Sequence, residues 1–243
     1  MTRDDSDWVK GLFAANSRDL IPGAARHAAH LLYAPVSRDP EVTMRCASIL
    51  SDTELQRADR FVRRRDQALF IQRRGFRRFC GALVLGSSEP LSQIAFNETE
   101  IGRPLLAELP ELWFSFSSSR CGFVGAWSST HGIGVDIEDE TRNVEVAELA
   151  QQFFSTAEAR VVEGAGGLTR QQTFFKFWSL KEAALKSIGE GLPFGLDAFV
   201  FELEPNLRVV NVPSGYGGPE RFSAHMIEGI ESCAAMIIRR GLI

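Results

Sequence analysis

Hydrophobic residues recur along the chain with two different periods, which predict helices in some segments and strands in others. A helical period runs from Ser51 to Gly86 and again from about Arg170 to Ile188, with a shorter amphipathic stretch at 144–154. Alternating or continuous apolar runs predict the strands. These strands are 28–36, 112–119, 121–129, 131–138, 198–203, 220–227 and 232–240. Glycine and proline turns separate the last three, whereas residues 1–27 show no clear period.

The first long helical region begins with a capping signal. Ser51 precedes the helical period and Glu54 follows three residues later, which is the spacing of a capping box. The expected core side of the same region consists of Phe76, Phe79, Cys80 and Leu83. We therefore expect this helix to pack against a sheet through that side.

The order of the elements repeats, and the repeat predicts a fold class. Helices followed by antiparallel strands occur in both halves, and the strand pair at 113–128 is similar in composition to the pair at 221–239. This arrangement predicts an α+β protein of two similar lobes, each a small antiparallel sheet packed with helices. We expect an N-terminal lobe at 1–129 and a C-terminal lobe at 130–243, with the active site at their interface.

Composition and charge exclude several classes of function. The chain has 243 residues, is 44% hydrophobic and has a formal net charge of −4, which gives no general reason to expect nucleic acid or a membrane as partner. The four cysteines lie far apart and match no metal-binding spacing, so we expect reduced thiols. No apolar run reaches membrane length, and the N-terminal residues lack a signal-peptide pattern. These features predict a cytoplasmic protein.

Two acidic residues end the apolar strand at 131–138. Asp136 and Glu138 are two positions apart, so their carboxylates share one face of the strand while Val135 and Ile137 share the other. Two close carboxylates repel each other unless a cation or protons lie between them. Taken alone, this segment is most simply a strand end that meets solvent.

The last long helix carries charge where an apolar stripe is expected. The stripe consists of Phe174, Phe177, Trp178, Leu185 and Ile188. Lys181 falls within it, and Glu182 and Lys186 lie one turn apart at its edge. An exposed i,i+4 pair and a snorkelling lysine would account for these charges separately. Together they favour the wall of a cleft, because a lysine aimed inward beside a carboxylate is rare on an open surface.

These two charged segments indicate a metal and a phosphate if they meet. Asp136, Glu138 and Glu182 would then form a hard oxygen site, which suits Mg²⁺ better than Zn²⁺. Mg²⁺ in such a site commonly completes its coordination with water and substrate phosphates. Lys186 would lie beside the metal as a phosphate ligand, so the helix indicates a diphosphate substrate.

The motifs GVDIE (134–138) and FWSLKEAALKSIGEGL (177–192) resemble the signature pair of the 4′-phosphopantetheinyl transferases. Further family segments are matched by FFSTAEARVV (153–162), GRP (102–104) and LSDTELQRADRFVRRRD (50–66). The length is similar to that of the monomeric, two-lobe branch. The resemblance implies transfer of 4′-phosphopantetheine from coenzyme A to a serine of an acyl or peptidyl carrier protein, with release of adenosine 3′,5′-bisphosphate.

The resemblance also implies roles for residues of the two main motifs. Asp136, Glu138 and Glu182 match the Mg²⁺ ligands. We expect Glu182 to take the proton of the carrier serine, directly or through a metal-bound water. Lys186 matches the lysine on the diphosphate. We expect Lys181 to position Glu182 or to contact a phosphate.

Other matching residues imply a site for coenzyme A. Arg57 and Arg103 match basic positions near its 3′-phosphate, and Ser117 and Ser118 match a segment that lies against the same molecule. The family commonly has F-N-x-S-H-S where this chain has FSFSSS, so Ser115 replaces Asn and Ser118 replaces His. A serine donates to a phosphate but lacks the charge of a histidine. This departure leaves a second hypothesis, a catalytically weakened relative that binds coenzyme A.

Nine arginines fall between Arg57 and Arg78. Such a cluster would suit nucleic acid on its own, but a coenzyme A site needs only two or three of them. The family pattern favours Arg74 and Arg78 as lining the cleft, whereas the helical stripe favours Arg73, and the sequence leaves this choice open. We expect a monomer that does not bind nucleic acid.

Overall fold

The computed structural model describes residues 3–20, 29–86 and 89–241, which form seven helices and eleven strands. The helices are α1 (Arg3–Asn16), α2 (Pro40–Ala47), α3 (Asp52–Ala58), α4 (Arg64–Leu85), α5 (Val146–Phe153), α6 (Thr156–Gly164) and α7 (Gly167–Ile188). The strands are β1 (Arg18–Asp19), β2 (His30–Pro35), β3 (Phe96–Glu98), β4 (Pro104–Leu106), β5 (Trp113–Ser118), β6 (Gly122–Ser128), β7 (His131–Glu138), β8 (Val200–Glu202), β9 (Arg208–Asn211), β10 (Phe222–Met226) and β11 (Cys233–Arg240). Residue 28, where the first predicted strand begins, lies outside the described residues.

Two antiparallel sheets carry most of these strands. The first has the order β1-β2-β6-β5 and the second the order β10-β11-β7. In the second sheet β11 pairs with β7 over its full length, with Cys233 opposite Glu138 and Arg240 opposite His131. Helix α4 packs on the first sheet and α7 on the second. The predicted α+β class, built from small antiparallel sheets and helices, is confirmed.

The two sheets face each other through a shared apolar layer. On β7 the residues Ile133, Val135 and Ile137 pack in one cluster with Leu31 and Val124 of the first sheet. All five side chains are buried, which fits the continuous apolar character of these strands. Each sheet therefore has helices on one face and the other sheet on the opposite face.

The helix boundaries follow from capping residues in the sequence. Ser51 and Glu54 form the predicted capping box at α3, and Ser155 and Glu158 form a second one at α6. Helix α7 ends at Gly189, whose φ of +80° is a left-handed conformation that glycine adopts without strain. These local signals fix where α3 and α6 begin and where α7 ends.

The predicted core side of α4 needs one correction. Leu83 is 49% exposed, whereas Gly81 and Ala82 of the same turn are buried. The chain around Ile94 and Phe96 lies so close to Gly81 that a methyl group there would contact both side chains. The core side of the last turn is therefore rotated toward Gly81.

Helix α1 was not predicted. Its residues lie in the stretch 1–27, which showed no clear period, and positions 21–27 of that stretch lie outside the described residues. Val9 and Phe13 are buried one turn apart, and Phe13 stacks on Phe79 with ring centroids 5.6 Å apart. Five of the other residues of the helix are charged and four of these lie in its first turns, so its apolar side is too short to stand out in the sequence.

The face of β7 opposite the apolar layer packs unusually close to α7. Gly132 and Gly134 lie on this face, and a methyl group at either position would overlap a backbone carbonyl of α7, that of Ser187 or Ala183 respectively. Ala183 and Ser187 are themselves completely buried. Small residues on both elements thus let the helix and strand backbones approach. Asp136 continues the same face of β7, so this contact brings it beside α7.

We expect Gly134→Ala to lower the free energy of unfolding by about 3 kcal/mol or more, because neither backbone can move aside without disturbing the core. Gly11→Ala in α1 is the control, since a methyl group there meets nothing within 4 Å. Urea denaturation of both variants checks this. A Gly134→Ala protein as stable as the control would contradict the close packing of α7 on β7.

Candidate active site

The acidic end of β7 opens into a pocket, here called the carboxylate pocket. It has a volume of about 310 Å³, and its lining includes Leu69, Ser117, Ser118, Arg120, Asp136, Glu138, Arg142 and Glu182. Asp136 is only 2% exposed although it ends an apolar strand. The two acidic residues of β7 share this pocket, as the alternation of the strand predicts.

Helix α7 supplies the groups that meet Asp136. Lys186 Nζ donates to Asp136 Oδ1 at 2.7 Å and lies 3.4 Å from Glu182 Oε2. Trp178 Nε1 donates to Glu182 Oε1 at 2.9 Å and orients that carboxylate. Burial raises the pKa of Glu182, and the charge of Asp136 raises it further. The two charged segments singled out in the sequence therefore meet in the fold.

Lys186 is the cation that holds this cluster together. Burial lowers the pKa of Lys186, but the attraction of Asp136 and Glu182 outweighs that effect and the net shift is upward. The ammonium group also donates to the Val135 carbonyl at 3.3 Å. Lys186 thus remains charged and neutralises part of the negative charge of the site.

Glu138 has a different cation as its partner. Arg142 Nη1 donates to Glu138 Oε2 at 2.9 Å, and the Arg142 side chain is 49% exposed. Burial raises the pKa of Glu138 to about 7, with a further increase from Asp136 that Arg142 opposes. The carboxylate is therefore destabilised in its charged form, as expected for acidic groups crowded into one pocket.

The fit of a divalent cation rests on the chemistry of these oxygens. No group of three or more His, Cys, Asp and Glu side chains is placed to hold a metal ion within the described ranges. However, Asp136 Oδ2 is buried and has no hydrogen-bond partner among the described residues. Three carboxylates, one of them with an unused buried oxygen, suit a hard cation such as Mg²⁺. Lys186 and Arg142 now neutralise the carboxylates that such an ion would bind.

Two serines of β5 connect the first sheet to β7. Ser117 Oγ donates to Asp136 Oδ1 at 2.8 Å, and the Val135 backbone amide donates to Ser115 Oγ at 3.0 Å. Ser115, which replaces the family asparagine, therefore satisfies an amide at the edge of β7. Ser118 lines the carboxylate pocket beside Ser117. Both predicted coenzyme A serines thus lie on the carboxylate side.

A second depression, here called the basic cleft, lies on the other side of Glu182. It has a volume of about 260 Å³, and its lining includes Arg77, Arg103, Phe116, Glu182 and Lys186. The Arg103 guanidinium lies 4.4 Å from the centroid of the Trp113 ring, which holds it at the cleft. Glu182 lines both the basic cleft and the carboxylate pocket.

Arg77 is a cleft residue that the sequence analysis missed. Its guanidinium lies 5.2 Å from the Phe116 ring centroid, and Nη1 donates to Glu98 at 3.3 Å. Burial lowers the pKa of Arg77 to about 10, and the charges of Arg74 and Arg73 lower it further. Arg77 precedes the closely packed Gly81 by one helical turn and so lies on the same side of α4, but only the fold shows which segment covers that side.

The sequence left open whether Arg73, Arg74 or Arg78 lines the cleft, and in the fold all three have other surroundings. Arg78 is buried against Glu54, with 2.6 Å between Nη2 and Oε2. Arg74 lies 3.5 Å from the same carboxylate, and Arg73 lies over the Phe70 ring at 5.5 Å. The glutamate of the capping box thus also anchors α4 to α3. Neither the family pattern nor the helical stripe identified the arginine that lines the basic cleft.

Arg57 is not brought to the same depression as Arg103. Its guanidinium lies 5.6 Å from the Phe70 ring centroid. It lines a separate surface pocket with Thr53, Gln56, Arg60 and Phe61. Its predicted contact with coenzyme A remains a prediction.

The prediction for Lys181 is wrong. Lys181 is completely buried, and its ammonium group lies 2.8 Å from Glu158. It also donates to the carbonyls of Leu196 at 3.0 Å and Phe199 at 2.6 Å. The side chain therefore points into the core and ties α7 to α6 and to the chain before β8. It neither positions Glu182 directly nor reaches the cleft.

The sequence profile of the 4′-phosphopantetheinyl transferase superfamily matches residues 132–225, which include all but the first residue of β7, the whole of α7 and the acidic residues of the site. The 4′-phosphopantetheinyl transferase HetI of Nostoc sp. is 31% identical over 166 residues, which cover 67% of this chain and 69% of that protein. The chain belongs to this superfamily. The resemblance inferred from the GVDIE and FWSLKEAALKSIGEGL motifs is thereby confirmed.

Other members of the superfamily match shorter segments. Psf-1 of Bacillus pumilus is 33% identical over 114 residues, covering 47% of this chain and 48% of that transferase. Sfp of Bacillus subtilis is 32% identical over 126 residues, covering 51% and 55%. The chain spans about half the length of these two relatives. None of the helices in the described part of the chain is long and apolar enough to span a membrane.

The buried ion pair gives a test of the corrected role of Lys181. We expect Lys181→Met to lower the free energy of unfolding by about 3–5 kcal/mol, because it leaves the Glu158 carboxylate buried without its cation. Lys181→Met combined with Glu158→Gln should regain part of this loss. Urea denaturation of wild type, Lys181→Met, Glu158→Gln and the double variant measures the coupling energy. Full stability of the single variant would show that the ion pair does not hold α7.

Proposed function

We propose that the chain transfers 4′-phosphopantetheine from coenzyme A to a serine hydroxyl of an acyl or peptidyl carrier protein. The observation that carries this proposal is the position of Glu182. It lines both the basic cleft and the carboxylate pocket and is hydrogen-bonded to Trp178 and paired with Lys186. A base on a wall between two depressions can serve a donor in one and an acceptor in the other.

The basic cleft suits the donor. Arg77, Arg103 and Lys186 place three cations around a cleft of about 260 Å³, with Phe116 beside them. Guanidinium groups bind phosphate oxygens through several donors, and an ammonium group binds them as a compact charge. A nucleotide with a diphosphate and a further phosphate, such as coenzyme A, fits this arrangement. Arg77 extends the set of donor residues expected from the sequence.

Mg²⁺ is part of the proposal. Asp136, Glu138 and Glu182 would hold the ion, with the buried Asp136 Oδ2 as the unused ligand atom. When bound, Mg²⁺ would neutralise charge on the diphosphate of the donor. Lys186 and Arg142 would exchange their present carboxylate partners for groups of the substrates.

The residues of the chain then account for the proton and charge changes. Glu182 accepts the proton of the carrier serine, because burial and Asp136 raise its pKa and make it a better base. The serine oxygen forms a bond to phosphorus, and the bond from that phosphorus to the bridging oxygen breaks. Lys186 stabilises the charge on the departing adenosine 3′,5′-bisphosphate.

The proposal also includes the division into lobes at 1–129 and 130–243 and a monomeric state. Two large core clusters support the division. All residues of the first cluster lie at or before position 127, and all residues of the second lie after position 143. The monomeric state is proposed from the resemblance in length to the monomeric, two-lobe branch of the family.

The proposed function is tested by mass spectrometry of an apo carrier protein after incubation with the chain, coenzyme A and Mg²⁺. We expect the mass of one 4′-phosphopantetheine group to be added. Glu182→Gln should lower kcat by at least about 100-fold, which is typical of losing a general base.

Lys176→Gln is the matched control, because Lys176 lies on the same helix but is exposed. Thermal unfolding of both variants checks that they are folded. Binding of coenzyme A without transfer to any carrier would support the weakened relative instead. Normal turnover of Glu182→Gln would remove Glu182 from the mechanism.

A further inference from the structure

We propose that Arg239 is a positioning residue for the basic cleft, because its buried guanidinium supports the Trp113 ring that holds Arg103. Arg239 lies on β11 of the second sheet and lines neither depression of the site. The inference rests on the proposed function, in which Arg103 binds the coenzyme A donor. It names a residue that sets the position of this guanidinium from outside the cleft.

Arg239 occupies a core position of an apolar strand. Alternate residues of β11 share one face, and the row that ends at Arg239 packs with α7 in one core cluster. The other members of this row are the buried residues Cys233, Ala235 and Ile237. Arg239 is itself only 4% exposed. Charged side chains are almost never this buried unless a partner compensates for the lost water.

The partner of Arg239 is not a carboxylate. Its Nε atom is buried and has no hydrogen-bond partner in the part of the chain that the structure describes. Burial lowers the pKa of Arg239, and the charge of Arg221 lowers it further. The last turn of α7 offsets part of this cost, because a methyl group on Gly132 would meet both the Ser187 carbonyl and Arg239 Nε. The guanidinium thus lies beside the negative end of the helix dipole.

Two aromatic rings provide the remaining contacts of this guanidinium. Arg239 Cζ lies 5.7 Å from the centroid of the Trp113 ring and 5.7 Å from that of the Tyr216 ring. A cation at this distance is attracted to the face of a ring, and more strongly when both are shielded from water. Tyr216 is fixed in turn, because its hydroxyl donates to Glu190 Oε1 at 3.3 Å. Arg239 therefore joins a ring of β5 to a ring from the chain between β9 and β10.

Trp113 carries this support to the basic cleft. The Arg103 guanidinium lies over the same ring at 4.4 Å. Burial lowers the pKa of Arg103, and no charged neighbour within the described ranges counters that effect. The ring also packs on the end of α7, since a methyl group on Gly189 would lie 3.4 Å from Trp113 and 3.9 Å from Arg103. Arg103 is thus held by a ring, and its N–H donors are left for an anion.

An arginine that is already oriented binds an anion at a lower cost in conformational entropy. Without Arg239, the Trp113 ring loses a contact on the side of the second sheet, and Arg103 becomes less ordered before the donor binds. Arg103 is remote from the proton transfer at Glu182. We therefore expect loss of Arg239 to weaken donor binding and to leave the chemical step unchanged.

The test measures coenzyme A binding by isothermal titration calorimetry in the presence of Mg²⁺. Arg239→Met removes the guanidinium, whereas Arg239→Lys keeps the positive charge beside α7 but lacks the flat group that stacks on a ring. Arg240→Met is the matched control, because Arg240 is the next residue of the same strand, is exposed and lines neither depression. Each substitution is also made in the Arg103→Ala background, and thermal unfolding checks that every protein is folded.

We expect Arg239→Met to raise the Kd for coenzyme A about three- to tenfold, the range of a desolvated contact between a cation and a ring, with kcat for an apo carrier protein unchanged. Arg239→Lys should raise the Kd less, and Arg240→Met should leave it unchanged. In the Arg103→Ala background Arg239→Met should cause no further loss, because the group that it positions is absent. If Arg239→Met does not fold, Arg239→Lys in both backgrounds gives the same comparison.

The results that would overturn the inference are distinct from those that would overturn the proposed function. If the wild-type chain binds coenzyme A and modifies a carrier, but Arg239→Met and Arg239→Lys bind coenzyme A as tightly as Arg240→Met, the inference is wrong and the proposed function stands. Equal losses with and without Arg103 would also overturn it, because Arg239 would then act independently of Arg103. If the wild-type chain neither binds coenzyme A nor modifies any apo carrier protein, the proposed function fails and the inference fails with it.

Discussion

The close contact between α7 and β7 is the constraint on which the site depends. Gly132 and Gly134 leave room for the backbone of α7, and Ala183 and Ser187 occupy that room without long side chains. The next residue on the same face of the strand is Asp136. A helix held farther away would leave Asp136 without Lys186, and a buried carboxylate without a cation is strongly destabilising. The packing of small residues thus allows a charged cluster to exist inside the fold.

The cluster is balanced by basic residues that belong to different openings. Lys186 reaches Asp136 and Glu182 from the basic cleft, and Arg142 reaches Glu138 from the mouth of the carboxylate pocket. Each carboxylate of the proposed metal site therefore has a cation that a substrate could attract. We infer that the site is stable in the absence of substrates because these two residues neutralise it, and that substrates rearrange it by competing for them.

The sequence predicted the parts of this arrangement that depend on local period and motif. The boundaries of β7 and the capping box at Ser51 followed from spacing, whereas the meeting of Asp136 with Glu182 was implied by the family motifs. The role expected for Lys181 was wrong because its place in the apolar stripe of α7 is compatible either with the wall of a cleft or with the core. Only the fold supplies Glu158, a residue 23 positions away, as its buried partner. Arg77 was missed for a similar reason, since the segment that covers Gly81 is not identifiable from the helix itself.

The central claim is that Lys186 neutralises the carboxylates in place of a divalent cation until the donor arrives. It is tested most directly by measuring Mn²⁺ binding by electron paramagnetic resonance, without coenzyme A, to wild type, Lys186→Met and the control Lys176→Met. Removing a positive charge 2.7 Å from Asp136 should tighten Mn²⁺ binding at least about tenfold in Lys186→Met and leave the control unchanged. Equal or weaker binding to Lys186→Met would contradict the claim.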